Sequence, residues 1–330
     1  MFLLFLKFII KSDDKNFKAR KMMRAEKRKK KRKILFIILT IIGLFVLCTG
    51  GYAYYLWNKA ASTIASIHED IGKSDKRDKQ VDVNSKDPIA VLIMGVDERE
   101  GDKGRADSLI YMTVNPKTNT TEMVSIPRDT YTEIIGKGKM DKINHSYAFG
   151  GTQMTVDTVE NFLDVPVDYF VKVNMESFRN IVDTLGGITV NSTFAFNYDG
   201  HSFSKGEITL NGEEALAYTR MRKKDPRGDF GRQERQRQVI EGIIKKGANI
   251  SSVTKFSDMF QVIEDNVKTN LTFDNMWDIQ SNYKSARNKV VQHQLKGQGT
   301  KIDGIYYYKV DESDRESISK KLKESLALKN

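Results

Sequence analysis

One uncharged apolar run, residues 34–57, constrains the fold more than any other feature of this sequence. Its 24 residues exceed the about 20 that a helix needs to cross a bilayer core. Aromatic residues cluster at its C-terminal end, as they do at a membrane interface (Tyr52, Tyr54, Tyr55 and Trp57). The run predicts one transmembrane helix between an N-terminal tail, residues 1–33, and the bulk of the chain.

The positive charge of the chain is concentrated in that tail. The formal net charge is +11, and residues 1–33 carry 14 Lys and Arg against three acidic residues, whereas the remaining 297 residues carry 40 of each sign. Positive residues beside a spanning helix stay on the cytoplasmic side and contact anionic membrane lipid. We therefore expect a single-pass protein of the cell membrane with a cytoplasmic N-terminus, an extracellular C-terminal domain and no nucleic-acid partner.

Several common chemistries are excluded by what the sequence lacks. The one cysteine, Cys48, lies inside the apolar run, so the rest of the chain has neither a disulfide nor a cysteine metal site. This suits the exterior of a Gram-positive-type bacterium. The motifs of P-loop nucleotide binding, of serine hydrolases and of zinc proteases are also absent.

The residues after the apolar run divide into a polar linker or stalk, 58–87, and an outer domain, 88–330. The domain opens with a continuous apolar run, residues 89–96, which is typical of a strand buried on both faces. Strand and helix patterns then alternate. The order predicts the α/β class, a three-layer αβα domain with a mixed central β-sheet. Later elements include an extended segment over 218–222 and helices over 229–246 and 256–267.

Charged residues stand where the first three predicted strands end. They are Asp97, Glu98, Arg99, Arg105, Asp107, Arg128 and Asp129. If these strands form an antiparallel meander, all of these residues lie at one edge of the sheet. Carboxylates bind Mg²⁺ through oxygen, and arginine pairs with phosphate through two parallel hydrogen bonds. The edge therefore predicts a cation-assisted phosphate site, and the alternative is a set of solvated loop charges.

A second polar group lies between residues 218 and 238. In a strand, Arg220 and Arg222 would share one face. On the following predicted helix, Arg232 and Gln236 are one turn apart, near an N-terminus that favours anions. The alternative is an arginine-rich helix with a solvated outer face. The density of arginines in both segments favours an anion pocket.

At these residues the sequence resembles the LytR-CpsA-Psr family, over about 89–246. The resemblance rests on a series of motifs in a fixed order: GVDER (95–99), RADS (105–108), SIPRDTY (125–131), DKINHSYAFGG (141–151), VDYFVKVN (167–174), LGGITVN (185–191), LNGEEALAYTRMR (210–222) and GDFGRQERQRQVI (228–240). It implies an α/β domain that holds a polyprenyl diphosphate, with the lipid tail in an apolar cleft between the sheet and the helices.

The resemblance also implies roles for individual residues. Asp97 and Asp107 would hold Mg²⁺, or Mn²⁺ in its place. The diphosphate would be bound by arginines and one glutamine: Arg105, Arg128, Arg220, Arg222, Arg232 and Gln236, with Arg99 as a further member of the motif. The catalytic set is then Asp97, Asp107, Arg105, Arg128, Arg220 and Arg222.

The implied activity is that of a phosphotransferase. It would attach a phosphate-linked anionic glycopolymer, such as a wall teichoic acid or a capsule-like polymer, from its polyprenyl-diphosphate carrier to peptidoglycan. The general base is left open between Asp107, Asp129 and Asp225. Two alternatives remain at this point. A hydrolase of the same lipid-linked sugar would use the same site, and a membrane-bound envelope regulator or binding module would show no metal-dependent turnover.

Overall fold

The computed structural model describes residues 64–98, 104–247 and 267–328, most of 39–62, and Met22, Lys33 and Phe36. Helix α1 (Leu39–Ile67) is long and apolar enough to cross a membrane. It overlaps the predicted spanning run, 34–57, whose first residues lie mostly outside the described part. Contacts divide the chain into an N-terminal unit, Met1–Asn58, and a second compact unit, Lys59–Asn330.

The second unit contains strands and helices in alternation. The strands are β1 (Ile89–Val96), β2 (Ala106–Asn115), β3 (Thr120–Ile126), β4 (Tyr131–Ile134), β5 (Lys139–Lys142), β6 (Tyr169–Val173), β7 (Ile188–Ser192), β8 (Phe196–Tyr198), β9 (His201–Phe203), β10 (Gly206–Leu210), β11 (Val267–Thr269), β12 (Lys289–Gln294), β13 (Gly297–Ile302) and β14 (Ile305–Val310). The helices are α2 (His145–Leu163), α3 (Met175–Thr184), α4 (Gly212–Arg220), α5 (Asp229–Gly247), α6 (Phe273–Asn282) and α7 (Glu312–Ser325), with a 3₁₀ helix at Lys284–Asn288.

A mixed six-stranded sheet forms the centre, in the order β11-β6-β1-β2-β3-β12. Strands β1, β2 and β3 form the predicted antiparallel meander. Strand β6 runs parallel to β1, and β12 runs parallel to β3. As a result, the C-terminal ends of β1, β3, β6 and β12 lie at the same edge as the start of β2. This edge is where the sequence predicted the phosphate site.

Helices cover both faces of the sheet. Alternate residues of each strand point to opposite faces, so each face has its own set of side chains to pack against the helices. On one face Leu92 and Tyr111 belong to an apolar cluster with residues of α2 and α7. On the other face Val91 and Met112 belong to a cluster with residues of α5 and α6. The predicted α/β class and the three-layer αβα arrangement with a mixed sheet are confirmed.

The segment 218–222 is not a strand, and the prediction of an extended segment there was wrong. Helix α4 runs to Arg220 because a capping box starts it firmly: Asn211 Oδ1 accepts from Glu214 N and Asn211 N donates to Glu214 Oε2, both at 2.9 Å. The good helix formers that follow carry it on. Met221 ends the helix with a ψ of 127°. Arg220 and Arg222 therefore flank a helix end and do not share a strand face.

The linker predicted over 58–87 also differs from what the structure shows. Ile67, Ile71 and Val83 are buried in the compact unit. Arg77 donates to Asp168 through Nε at 2.6 Å and to the carbonyl oxygen of Pro88 at 2.9 Å. The compact unit thus begins well before the expected boundary at Pro88. The helix predicted over 256–267 lies outside the described residues except for Val267, which starts β11.

Candidate functional site: an arginine and carboxylate cluster at the sheet edge

The loop between β1 and β2 brings the two predicted metal-binding aspartates together. The backbone N–H groups of Asp97 and Asp107 both donate to the carbonyl oxygen of Arg105, at 3.3 and 3.0 Å. Gly104 makes this close approach possible. It has a φ of 68°, and a Cβ there would overlap the backbone of Asp97. The sequence therefore closes the loop tightly and brings the backbones of Asp97 and Asp107 together at this edge.

Arg128 is the centre of the contacts at this edge. Its Nη1 lies 3.1 Å from Asp107 Oδ1, and its Nε lies 3.8 Å from Asp129 Oδ2. Asn144 Nδ2 donates to the same Asp107 oxygen at 3.2 Å, and Lys142 Nζ lies 2.7 Å from Asp129 Oδ1. Asn144 was not among the predicted site residues, although it lies in the quoted DKINHSY motif.

Helix α5 brings its own polar face to the edge. Gln236 Oε1 accepts from Ser108 Oγ at 3.1 Å, which joins the helix to the first residues of β2. One turn earlier, Arg232 Nη2 lies 2.6 Å from Asp229 Oδ1. Arg222 Nε lies 3.8 Å from the same oxygen. Asp229 thus holds two predicted phosphate-binding arginines together, a role that the sequence reasoning missed.

The electrostatics of Arg232 indicate a site for an anion. Burial lowers the pKa of Arg232, and the guanidinium groups of Arg128 and Arg222 lower it further, against the opposite effect of Asp229 and Asp107. Within the described part of the chain, the buried Arg232 Nε has no hydrogen-bond acceptor, and Asp229 Oδ1, the ion-pair partner of Arg232, has no aligned hydrogen-bond donor. Buried donors are rarely left unpaired. A phosphate oxygen would supply the missing acceptor and would also reduce the repulsion between the three arginines.

A buried ion pair holds the segment that carries Arg222. Arg235 Nη1 lies 2.5 Å from Asp225 Oδ2, and their side chains are 3% and 0% exposed. Arg235 also donates to the carbonyl oxygen of Tyr218 at 3.0 Å and to that of Met221. These carbonyls lie on either side of Arg220. Asp225 is consequently a structural residue, which removes it from the candidates for the general base.

The remaining predicted residues stand at the margin of this cluster. Arg105 and Arg220 are exposed. Among the described residues, Arg105 and Arg220 have no ion-pair partner, and Arg99 lies outside those residues. The structure therefore brings Asp107, Arg128, Arg222, Arg232 and Gln236 into one connected set. Asp97 joins this set through the backbone, and the roles of all these residues stay predictions.

The donors at this edge fit a hard divalent cation. Asp97 and Asp107, whose backbone N–H groups share one acceptor, would supply the one or two carboxylates that Mg²⁺ commonly takes from a protein beside phosphate oxygens and water. Arg128 and Asn144 both contact the Oδ1 atom of Asp107. Within the described ranges, no group of three or more His, Cys, Asp or Glu could hold a metal by protein ligands alone. Such a cation would therefore share its coordination with the substrate.

An apolar cavity of about 390 Å³ lies on the α5 side of the sheet. Its walls come from the sheet (Met112 and Val171), from α5 (Ile244) and from α6 (Ile279). It occupies the place that the resemblance implied for a lipid tail, between the sheet and the helices. The arginine cluster and this cavity share helix α5, since Arg232 and Gln236 lie in the first half of the helix and Ile244 lies near its end.

The fold and the cluster together define an α/β domain with arginines and carboxylates at one edge of its sheet and an apolar cavity under helix α5. The chain belongs to the LytR_cpsA_psr family, whose family model matches residues 54–324. This confirms the predicted family.

Relatives with known names are close in sequence. The polyisoprenyl-teichoic acid–peptidoglycan teichoic acid transferase TagU of Bacillus licheniformis is 81% identical over 304 residues, which are 92% of this chain and 99% of the relative. TagU of Bacillus subtilis strain 168 shows the same identity and coverage. The crystal structure of B. subtilis TagU matches with 78% identity and a TM-score of 0.62, over 74% of this chain and 99% of that one. The structure of TagT bound to LIIa-WTA matches with 35% identity and a TM-score of 0.67, over 78% and 97%.

Proposed function

We propose that this protein transfers a teichoic acid chain from a polyisoprenyl diphosphate carrier to peptidoglycan. The observation that carries the proposal is the cluster of Arg128, Arg222 and Arg232, in which the buried Arg232 Nε lacks a hydrogen-bond acceptor. The chain that holds this cluster is 81% identical to two TagU transferases. Three guanidinium groups are suited to the charge of a diphosphate, and each can form two parallel hydrogen bonds to phosphate oxygens.

The chemistry is a phosphoryl transfer in which a peptidoglycan hydroxyl is the nucleophile. Its oxygen forms a bond to the phosphorus that carries the polymer, and the bond from that phosphorus to the bridging oxygen breaks. Polyisoprenyl phosphate leaves with the electron pair. Arg128 and Arg232 hold the diphosphate in line for attack and stabilise the developing charge. Asp107 and Asp129 are the candidates for the base that accepts the hydroxyl proton, since Asp225 is buried against Arg235.

A divalent cation belongs to this proposal. Asp97 and Asp107 would hold Mg²⁺, or Mn²⁺ in its place, and the ion would supply further neutralisation of the diphosphate oxygens. The proposed topology is a single-pass anchor with the basic tail in the cytoplasm and the compact unit outside the cell membrane, where peptidoglycan lies. The polymer class and the peptidoglycan acceptor come to this chain from the names of its relatives.

The test is a transfer assay with the full-length protein in detergent. The substrates are a polyprenyl-diphosphate-linked saccharide and peptidoglycan oligomers, with Mg²⁺, and mass spectrometry detects the phosphodiester conjugate. Loss of one preorganised charged donor costs about 10²–10³-fold in rate, so we expect that loss in Arg128→Met and Arg232→Met. Arg179→Met is the matched control, because Arg179 is paired with Glu213 on α3 and α4, outside the cluster.

Three outcomes separate the possible activities. Conjugate that falls in the two cluster variants and not in the control supports the transferase. Release of lipid phosphate without conjugate indicates hydrolysis. Tight binding of the lipid-linked saccharide without turnover in the presence of Mg²⁺ indicates a binding or regulatory module.

A further inference from the structure

A second, larger groove lies beside the arginine cluster and has no part in the function proposed so far. Its volume is about 960 Å³, and its walls come from the hairpins β4–β5 and β13–β14 and from helices α2 and α7. The lining is polar, with amide side chains at Asn161 and Gln298 and a phenol at Tyr131. It carries charges of both signs: Lys309 and Arg315 are cations, Asp311 and Glu312 are carboxylates, and Arg315 is paired with Glu312. Asn161, Gln298 and Lys309 are exposed. Of the quoted sequence motifs, SIPRDTY (125–131) reaches this groove, through Tyr131.

The groove is joined rigidly to the cluster. The backbone N–H of Tyr308 donates to the carbonyl oxygen of Asp129 at 2.8 Å, so β14 is fixed to the segment that follows Arg128. Lys142 Nζ, which pairs with Asp129, lies 5.8 Å from the centre of the Tyr307 ring. Arg128 and Tyr131 are three residues apart, a span of at most about 11 Å. A molecule in the groove can therefore reach the phosphate site.

The two cavities lie on opposite faces of the sheet. The apolar cavity is lined by Met112, whose side chain belongs to the face covered by α5 and α6. The groove is bordered by α2 and α7, which cover the face of Tyr111. Neighbouring residues of a strand point to opposite faces. The cluster receives side chains from both sides, with Gln236 from helix α5 and Asn144 from the residue before helix α2.

This arrangement suits an in-line displacement. The attacking and leaving oxygens must lie on opposite sides of the phosphorus. If the carrier tail enters from the apolar cavity, polyisoprenyl phosphate leaves towards the α5 face. The nucleophile must then arrive from the α2 face, where the groove opens. A groove on the same face as the lipid cavity would not meet this requirement.

We propose that the groove binds the acceptor, a peptidoglycan glycan strand with its peptide stems, and presents a sugar hydroxyl to the phosphate site. This inference rests on the proposed function. The side chains of the groove match such a ligand. Amides both donate and accept hydrogen bonds, as the acetamido groups of the strand do. Gln298 and Lys309 lie opposite each other on β13 and β14, so Lys309 can pair with a stem carboxylate next to that amide.

The test compares two charge reversals on one hairpin in the full-length protein. Lys309→Glu changes the groove, and Lys301→Glu is the control, because Lys301 is an exposed lysine of the same hairpin that does not line it. Isothermal titration measures the affinity for peptidoglycan oligomers without turnover, and the transfer assay gives KM for acceptor and donor. We expect Lys309→Glu to weaken acceptor affinity and raise acceptor KM about tenfold, with donor KM unchanged. Lys301→Glu should behave as the wild type.

The outcomes keep the two proposals apart. If the wild type forms conjugate and Lys309→Glu binds and uses the acceptor as well as Lys301→Glu does, the groove proposal fails alone. A rise in donor KM instead would place the polymer of the donor in the groove and would also overturn it. A third outcome is that the wild type binds the oligomers but forms no conjugate, and that Lys309→Glu does not bind them. The proposed transfer then fails, while the groove remains an acceptor site.

Discussion

Replacement of Asp225 by asparagine tests how the chain holds its phosphate-binding arginines in place. Asp225 lies in the turn between α4 and α5, and its carboxylate pairs with Arg235. Arg235 in turn binds the carbonyl oxygens of Tyr218 and Met221, on either side of Arg220. Asparagine keeps the size of the side chain and removes its charge. The substitution therefore leaves the Arg235 guanidinium buried without a counter-charge.

The size of the effect follows from burial. Because the two side chains are 0% and 3% exposed, solvent screens the pair little. Removal of one partner of a buried pair costs about 3–5 kcal/mol. Arg235 keeps its carbonyl acceptors in the variant, so we expect the lower end, about 3 kcal/mol in the free energy of unfolding. Displacement of the segment by even 1 Å can cost about 10²-fold in rate, so transfer should fall as well.

The effect should depend on pH in a defined direction. Burial raises the pKa of Asp225, but hydrogen bonds from Arg227 and Arg235 outweigh it and hold the pKa below its ordinary value. A carboxyl group with a lowered pKa stabilises the folded state above its unfolded pKa, about 3.9, and this contribution is lost as pH falls through the folded pKa. The difference in the free energy of unfolding between wild type and variant should reach its full size near pH 7 and should shrink below about pH 4.

Urea unfolding of the full-length protein in detergent, followed by circular dichroism at several pH values, measures this difference. Arg227→Met is the matched control. It removes the second arginine beside the same carboxylate, but that arginine is 46% exposed and its loss should cost no more than about 1 kcal/mol. Equal losses in Asp225→Asn and Arg227→Met, or a difference that does not change with pH, would refute the idea that the buried pair fixes the segment.

Two further substitutions test other parts of the packing. Gly231→Ala should destabilise the protein by about 1–3 kcal/mol, because a Cβ at Gly231 would overlap the Asp225 carboxylate; a variant as stable as wild type in the same urea experiment would show that the turn moves freely. Arg77→Met should cost about 3 kcal/mol, because Arg77 and Asp168 form a pair with 12% and 7% exposed side chains. A loss near zero in the melting profile would mean that residues 59–87 contribute little to the compact unit.

The sheet and its edge could be predicted from local sequence. The run over 89–96 shows a strand buried on both faces, and the turn before Asn119 returns the chain into the next strand, with Asn119 at a φ of 56°. An antiparallel meander then fixes which strand ends meet. The approach of Asp107 to Arg128 follows from that topology alone. These elements depend on contacts between near neighbours in the chain, which leave clear patterns.

Other parts of the site depend on contacts that no local pattern shows. Asp225 lies in a stretch rich in Lys, Pro and Gly that resembles a solvated turn, and its burial comes from Arg235 on the following helix. The segment 218–222 was predicted to be extended, whereas the capping box at Asn211 starts a helix that continues as far as Arg220. The groove is formed by β13–β14, almost 170 residues after Asp129, and only the folded chain brings them together.

The identity of the nucleophile is the point on which the proposed function depends most. The transfer reaction run in ¹⁸O-labelled water, with full-length protein, lipid-linked saccharide and peptidoglycan oligomers, determines it by mass spectrometry of both products. We expect no ¹⁸O in the phosphodiester conjugate and none in the released polyisoprenyl phosphate, because the new oxygen on phosphorus comes from a sugar hydroxyl. One ¹⁸O on the phosphate of a released polymer, with no conjugate formed, would show that water is the nucleophile and would contradict transfer.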